Sequence, residues 1–419
     1  MQSYDEIVNS GTDWLGYIPA QWSIKRGKFL YQNKKVVNKG MAETQRLALT
    51  LRGVIERKDG DNLGLNPESL ESYQIFEKND LVFKLIDLEN KQTSRVGLTP
   101  KRGIMSPAYI RLTPKLALSP GYFFYYYYSL YLTYVFNNIA GEGVRANLSA
   151  KELLELPAPV PSLQTQQKIA DFLDTETAQI DNLIAKQERL LELLEEKRRA
   201  TITHAVTRGL NPGVELKETN IPWLGQIPAH WNVNPLFKYV KENKRSNKGM
   251  LNENVLTLSY GKIKEKNLDN GGLMPESYET YQIVKPGDII LRLTDLQNDK
   301  TSLRVGHSNF EGIITSAYVD ISSVSYKSKY LYYLLHAYDL MKIFYNLGAG
   351  LRQGMKFSDL KRLPAFGVEQ DEQQQIIDYL ESYESKTDEL KQKIHTQITL
   401  LRERRTSLIS HAVTGKIKV

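Results

Sequence analysis

The sequence predicts a mixed α/β chain of the α+β class, built as a pseudo-two-fold tandem repeat. Two similar globular domains are separated by two long antiparallel coiled-coil helices. Three observations predict this. The 419 residues are written twice. Each copy begins with segments that mix strand and helix periodicity. Each copy ends in a proline-free run of heptad-spaced apolar residues.

The repeat comes first. Trp14–Trp22 reads WLGYIPAQW and Trp223–Trp231 reads WLGQIPAHW, seven of nine positions identical at an offset of 209. NKGM stands at Asn38–Met41 and again at Asn247–Met250. PES-x-x-x-YQI runs from Pro67 to Ile75 and from Pro275 to Ile283. LVFKLIDL (81–88) faces IILRLTDL (289–296), TSRVG (93–97) faces TSLRVG (301–306), and GIMSPAYI (103–110) faces GIITSAYV (312–319). GEGVR (141–145) faces GAGLR (348–352), QQKIADFLD (166–174) faces QQQIIDYLE (373–381), and HAVT occurs at 204–207 and 411–414. Collinear blocks in this number do not arise by chance. Units of about 208 residues are far longer than the 20–50 residues of a solenoid repeat. A dimer-like pair closing about a two-fold axis follows, in cyclic order with the termini near each other.

Within each unit, residues 1–161 and 208–370 read as the globular domains. LVFKLIDL and IILRLTDL have the length and β-branched content of buried strands, as do the segments around Ala108–Leu112 and Ala317–Ile321. Tyr122–Phe136 and Tyr330–Phe344 carry aromatic and apolar residues three and four apart, the spacing of helices. Residues 162–207 and 371–414 read as the spacer helices. Ile169, Leu173, Ile180, Leu183, Gln187, Leu190 and Leu194 form a 3-4 seam in the first. Ile376, Leu380, Tyr383, Thr387, Leu390, Ile394, Gln397 and Leu401 form it in the second. Phe172, Ile184 and Leu191 widen the stripe, with Tyr379, Tyr383 and Ile398 on the second helix, so a further partner surface is expected there.

Composition bounds the chemistry. Hydrophobic residues are 41% and charged residues 25%, as in an ordinary globular chain. Zero Cys excludes disulfides, Cys–zinc sites and a Cys nucleophile. Six His without HExxH or HxH leave no metal pattern. The N-terminus lacks the basic and apolar regions of a signal peptide, and YFFYYYYSLYLTYVF falls short of the ~20 apolar residues of a membrane span. A cytoplasmic chain is expected. The net charge of +7 suits a polyanionic partner.

Catalytic patterns fail one by one. NPGV at 211–214 does not replace the NPPY of an amino-methyltransferase. The glycines of IAGEG (139–143) and LGAG (347–350) precede an arginine rather than open a helix, which suits close approach to a phosphate better than a cofactor site. Asp80, Glu89 and Lys91 imitate a nuclease metal site, but the second copy has Gln297 between Asp288 and Lys300, removing a ligand charge. What remains is a basic, aromatic, two-headed chain with a helical spacer. Split duplex DNA fits it, because a two-fold protein reads two inverted half-sites.

The W-L-G-x-I-P-x-x-W opening of each half resembles the specificity subunit of type I restriction-modification systems. So does each closing block, Q-Q-x-I-x-x-[FY]-L followed by a heptad helix and H-A-V-T. The resemblance spans the chain. It implies two target-recognition domains, each reading one half of a bipartite, gapped DNA sequence in the major groove. It implies helices that set the gap and dock two modification subunits, which carry S-adenosylmethionine and methylate adenine. Restriction subunits would add ATP- and Mg-dependent translocation and cleavage, and this chain would hold no cofactor and no active site. Family domains within one subunit are often dissimilar; these two are alike, so similar inverted half-sites are expected.

Cations present in both copies are the candidate DNA contacts: Arg95 and Arg304, Arg145 and Arg352, Lys84 and Arg292. Arginine can fork onto guanine or clamp phosphate. Asp87 and Asp295 are alternative partners for Lys84 and Arg292. Positions that differ would carry any difference between half-sites: Lys101 and Arg102 against Ser308 and Asn309, Arg52 against Ser259, Asn147 against Lys356. Asp13 and the four tryptophans read as packing residues. Lys197, Arg198, Arg199, Arg404 and Arg405 read equally as a solvated face or a contact. A fused enzyme would need a further domain for which no residues remain. A stand-alone DNA-binding regulator would not need a wide apolar face on its spacer helices.

Overall fold

The computed structural model describes residues 4–51, 53–57, 69–88, 94–140, 147–266, 277–296, 299, 301–346 and 354–419. The chain divides into two compact units that cut across its linear order: Met1–Gln187 with His395–Val419, and Glu188–Ile394. Each unit thus contains part of both long helices.

In the first unit, short β-branched and aromatic segments build an antiparallel sheet. Its order is Tyr31–Asn33, Ile110–Pro114, Leu81–Phe83, Val96–Leu98. Strand alternation sends neighbouring side chains to opposite faces. Leu81 and Phe83 enter a large core with Tyr122, Phe123, Tyr126 and Tyr127 of the helix Pro120–Leu132. Val82 enters a smaller core with Leu47, Leu49, Phe76 and Met105. That second core is roofed by a hairpin, Leu47–Thr50 with Gly53–Glu56, and a ribbon, Gln74–Phe76 with Gly103–Met105.

The second unit repeats the scheme strand for strand. Its sheet runs Val240–Glu242, Val319–Ser323, Ile289–Leu291, Val305–His307. Ile289 and Leu291 enter the large core, and Ile290 the small one with Leu256, Leu258, Ile263, Val284 and Ile314. Its hairpin pairs Leu256–Ser259 with Lys262–Glu265.

Several repeated motifs are explained by packing. A Cβ on Gly97 would lie 2.6 Å from Leu49 Cδ1, and one on Gly306 2.6 Å from Leu258 Cδ1. Glycine in the repeated V-G step lets the hairpin lie directly on the sheet. Trp22 and Trp231 are buried, as expected of packing residues. The first glutamine of the first QQ pair, Gln166, accepts from Ser119 N at 3.0 Å and donates to Pro161 O at 2.9 Å, and Gln167 accepts from Ser119 Oγ at 3.3 Å. Gln373 accepts from Lys327 N at 2.9 Å and donates to Val368 O at 2.8 Å. These bonds fix the start of each long helix to the adjacent aromatic helix.

Two element readings change. The predicted helices 122–136 and 330–344 break at Tyr134 (φ 60°) and Lys342 (φ 61°), whose left-handed backbone ends Pro120–Leu132 and Ser328–Leu340. The eight-residue strands shorten to Leu81–Phe83 and Ile289–Leu291, because Asp87 (φ 54°) and Asp295 (φ 57°) leave extended geometry.

The long helices are Leu163–Arg208 and Gln370–Val413. In the first unit Arg405 Nε pairs with Asp181 at 2.8 Å, and Leu408, Ile409, Ala412 and Val413 join the large core. Gly415 lies against Pro19 and Trp22, bringing the end of the chain to its opening motif. In the second unit Ile202, Ala205 and Val206 join the core, with Arg198 paired to Glu384 (2.5 Å) and Lys391 to Glu195 (2.5 Å). Rising numbers on one helix meet falling numbers on the other, so the segments in this unit are antiparallel.

The seam differs from the predicted one by a single residue at alternate places. Leu183, Leu190 and Leu390 are exposed (47%, 39% and 42%), whereas Ile184 and Leu191 are half-buried and Ile398 is buried. One residue is ~100° of helix rotation. The true seam places Glu384 and Lys391 at core-facing positions, and their ion pairs hide the apolar pattern.

Candidate nucleic-acid interface

In each unit a segment leaves the second sheet strand and returns to the next, and a buried arginine governs it. Lys84 N donates to Arg95 O at 3.0 Å, and Arg292 N to Arg304 O at 2.9 Å, extending the ladder. Arg95 and Arg304 are fully buried. Arg95 Nη2 donates to Asp87 O. Arg304 Nη1 donates to Thr294 O at 2.9 Å, and Nη2 donates to the carbonyls of Asp295 (3.3 Å) and Asp299. Its guanidinium lies 5.7 Å from the Tyr345 ring. These two arginines, expected to face DNA, instead point inward: Arg304 donates to three carbonyls of its own segment and Arg95 to that of Asp87. They position it rather than project from it.

Lys84 and Arg292 are half-buried. Burial and then the charge of Arg95 push the Lys84 ammonium below its usual range. Arg292 pairs with Asp299 at 3.7 Å, not with Asp295. Hydrogen bonds from Ser302 hold the Asp299 carboxyl well below the ordinary carboxylate range. Arg52, Arg145 and Arg352 lie outside the described residues, as do Glu89, Lys91, Gln297, Lys300 and most of both glycine loops. Asp80 pairs with Arg111 at 2.5 Å inside the small core.

Strand pairing also revises which positions correspond. Gly103 pairs with Phe76, and Gly312 with Val284. Lys101 and Arg102 therefore match Phe310 and Glu311, not Ser308 and Asn309. The hairpin register matches Ser259 to Thr50 rather than to Arg52. Leu148 N donates to Leu85 O and Met355 N to Leu293 O, so Asn147 matches Gly354 and Lys356 matches Ser149. The sequence alignment misses these shifts because its offset drifts through the loops. In the first unit Lys101 pairs with Glu56 (2.7 Å), and Arg102 with Glu43 (3.2 Å) and Glu77 (2.5 Å). Ser308 is buried, bonded to Phe310; Asn309 and Lys356 are exposed.

The two units differ beneath the hairpin. Arg111 in the first corresponds to Asp320 in the second. Asp320 and Asp288 share Asn243, at 2.9 and 3.1 Å, and both pair with Arg245. Burial, chiefly, pushes the Asp320 carboxyl up to about 7.

On the helices, Phe172 and Ile184 pack against the first core. Leu191 and Tyr383 are half-buried, Ile398 is buried, and Tyr379 is exposed. The large apolar side chains left exposed on the long helices are Leu163, Leu183 and Leu400 in the first unit and Leu190, Leu193, Leu390 and Tyr379 in the second. Arg198 and Arg405 are seam residues, and Arg199 pairs with Glu195 at 3.6 Å. Among the described residues there is no cluster of His, Asp and Glu able to hold a metal ion, and no helix long and apolar enough to cross a membrane.

The profile of the family described as "Type I restriction modification DNA specificity domain" matches residues 23–193. A protein of Methanocaldococcus jannaschii, the putative type I restriction enzyme MjaX specificity subunit, is 23% identical over 451 residues. The alignment covers 100% of this chain and 99% of that one. Over residues 23–193 the chain is thus similar to a type I DNA specificity domain, and along its whole length to a putative type I specificity subunit. Solved structures agree in fold. The HsdS subunit of Thermoanaerobacter tengcongensis superposes with a TM-score of 0.55 at 13% identity, covering 96% of this chain and 98% of that one. A chain from a structural study of type I R-M complex assembly and conformational transition gives 0.68 at 13%, covering 96% and 99%.

Proposed function

We propose that this chain is the specificity subunit of a type I restriction-modification system and reads a bipartite, gapped duplex target, one half-site per unit, with similar half-sites in inverted orientation. The observation that carries the reading is the strand-for-strand repetition of one scaffold. In both units the same sheet, hairpin and arginine-braced segment recur, so the same surface is offered twice. A two-fold protein reads inverted half-sites. The exposed leucines of the long helices, with Tyr379, form the docking face for two modification subunits, which carry S-adenosylmethionine and methylate adenine. Restriction subunits, with ATP and Mg, complete the assembly. This chain binds no cofactor and acts in the cytoplasm.

The experiment is co-expression with a modification subunit, followed by sequencing of methylated adenines in the host genome. The expected motif has two related half-sites on opposite strands, separated by a fixed gap. Two unrelated half-sites refute the inversion. A chain that binds DNA yet recruits no modification subunit is a stand-alone regulator. The leucines exposed in each unit favour a protein partner over that reading, since exposed apolar patches mark protein contacts.

A further inference from the structure

The tetrapeptide NKGM recurs unchanged while its flanks diverge: KKVV precedes the first and KRS the second, AET follows the first and LNE the second. The fold accounts for two of its four residues. Asn38 and Asn247 are fully buried. Asn38 donates to Glu43 O (2.8 Å) and Leu70 O (3.2 Å) and accepts from Glu43 N (2.9 Å). Asn247 makes the same three bonds to Asn252 O, Tyr278 O and Asn252 N. Gly40 (φ 64°) and Gly249 (φ 79°) turn the chain, and their amides donate to Glu71 (3.0 Å) and Glu279 (2.8 Å).

The other two are not explained by packing. Lys39 and Lys248 are exposed and make no ion pair among the described residues. Met41 and Met250 are 47% and 36% exposed, and both are held at φ 54°. That left-handed conformation disfavours a methionine and suits glycine or asparagine. Met250 has one weak contact, from Ser277 Oγ to its sulfur at 3.9 Å. A strained, exposed residue repeated at equivalent places points to something outside the chain.

We infer that Lys39-Gly40-Met41 and Lys248-Gly249-Met250 are paired duplex-DNA contacts, the lysine on a backbone phosphate and the methionine side chain against base edges. Further lysines precede each turn in the sequence, and such cationic charge suits the DNA backbone. Lys34 and Lys35 in the first unit, and Lys241 in the second, are also exposed without ion pairs among the described residues. An unbranched apolar side chain on a rigid cationic turn is the kind of group that enters a groove. Buried Asn and the clamping Glu pre-set the turn, so little order is lost on binding.

The inference rests on the DNA-reading role proposed above, and one experiment separates the two. The complete complex with its modification subunit is compared as wild type, Lys39→Gln, Met41→Ala and Met41→Gly, and likewise at 248 and 250. Binding is measured to duplexes randomised in each half-site, across a salt series. Lysine variants are expected to lower the salt slope by about one without altering the motif. Methionine variants are expected to relax about tenfold the preference at one position, in their own half-site only. Met41→Gly relieves the backbone strain and should melt no lower than wild type, so its loss of discrimination is not a folding defect. Unchanged slopes and motifs in all variants, with a specific wild type, overturn the inference alone. A wild-type complex without sequence preference overturns both readings.

Discussion

Replacing Asp320 by Asn tests the central asymmetry between the units. Asp320 has no exposed side-chain surface, and a second carboxylate, Asp288, shares its one arginine. Its carboxyl is raised from 3.8 to about 7. A raised carboxylic acid is protonated in the fold at pH values where the unfolded chain has released the proton. Its contribution to stability is therefore full below pH ~4 and is lost as pH rises through ~7. At ~1.4 kcal/mol per unit, moving from pH 5.5 to pH 8 costs the second unit roughly 2 kcal/mol through this group. For a unit near 200 residues that is about 4–8 °C in Tm. Asp320→Asn preserves the shape and the Asn243 contact and cannot ionise. The difference in Tm between variant and wild type should therefore widen in the variant's favour by this amount between pH 5.5 and 8. Comparing the two proteins at each pH cancels the titrating groups that do not interact with Asp320. Parallel curves would refute the argument and mean that Arg245 keeps both carboxylates ionised throughout.

The remaining predictions concern the arginine brace, the helix faces and the helix anchor. Arg304→Met strands the carbonyls of Thr294, Asp295 and Asp299, at about 2–4 kcal/mol. Hydrogen exchange should rise across 292–304, and the second half-site should be lost while the first is still read. Leu190→Glu should leave the melting curve within about 0.5 kcal/mol of wild type and weaken capture of the modification subunit. Leu191→Glu, one residue away but facing the seam, should instead lower Tm, and reversed effects would mean the seam is misplaced. Gln373→Ala leaves Lys327 N and Val368 O without their partner and should cost about 2–3 kcal/mol in denaturant unfolding.

The fold was legible in the sequence to the extent that it repeats. WLG-x-IP, QQ and HAVT mark the core and the helix ends, and the V-G step marks a close strand approach. Each recurs because packing demands it. The heptad seam was misread at alternate positions because two of its core-facing places hold charges. Glu384 and Lys391 pair across the helices, while Leu183, Leu190 and Leu390 supply an equally regular apolar series one residue earlier, facing solvent. Apolar periodicity records composition along a face, and an ion-paired seam breaks its link to burial.

The misreading of Arg95 and Arg304 has a different cause. Retention of a cation in two diverged copies suggests DNA contact, but a buried arginine that donates to loop carbonyls is retained for the same reason a core residue is. Internal repetition alone cannot separate these roles; repetition combined with exposure can. On that criterion Arg95 and Arg304 fall with the scaffold, beside Gln166, Gln373, Asn38 and Asn247. Lys39, Met41, Lys248 and Met250 fall outside it, because no interior contact accounts for their identity and the methionine backbone opposes it. Recognition in this chain is therefore best sought where the copies agree at the surface, and differences in specificity where structurally matched surface positions disagree, as at Arg102 and Glu311.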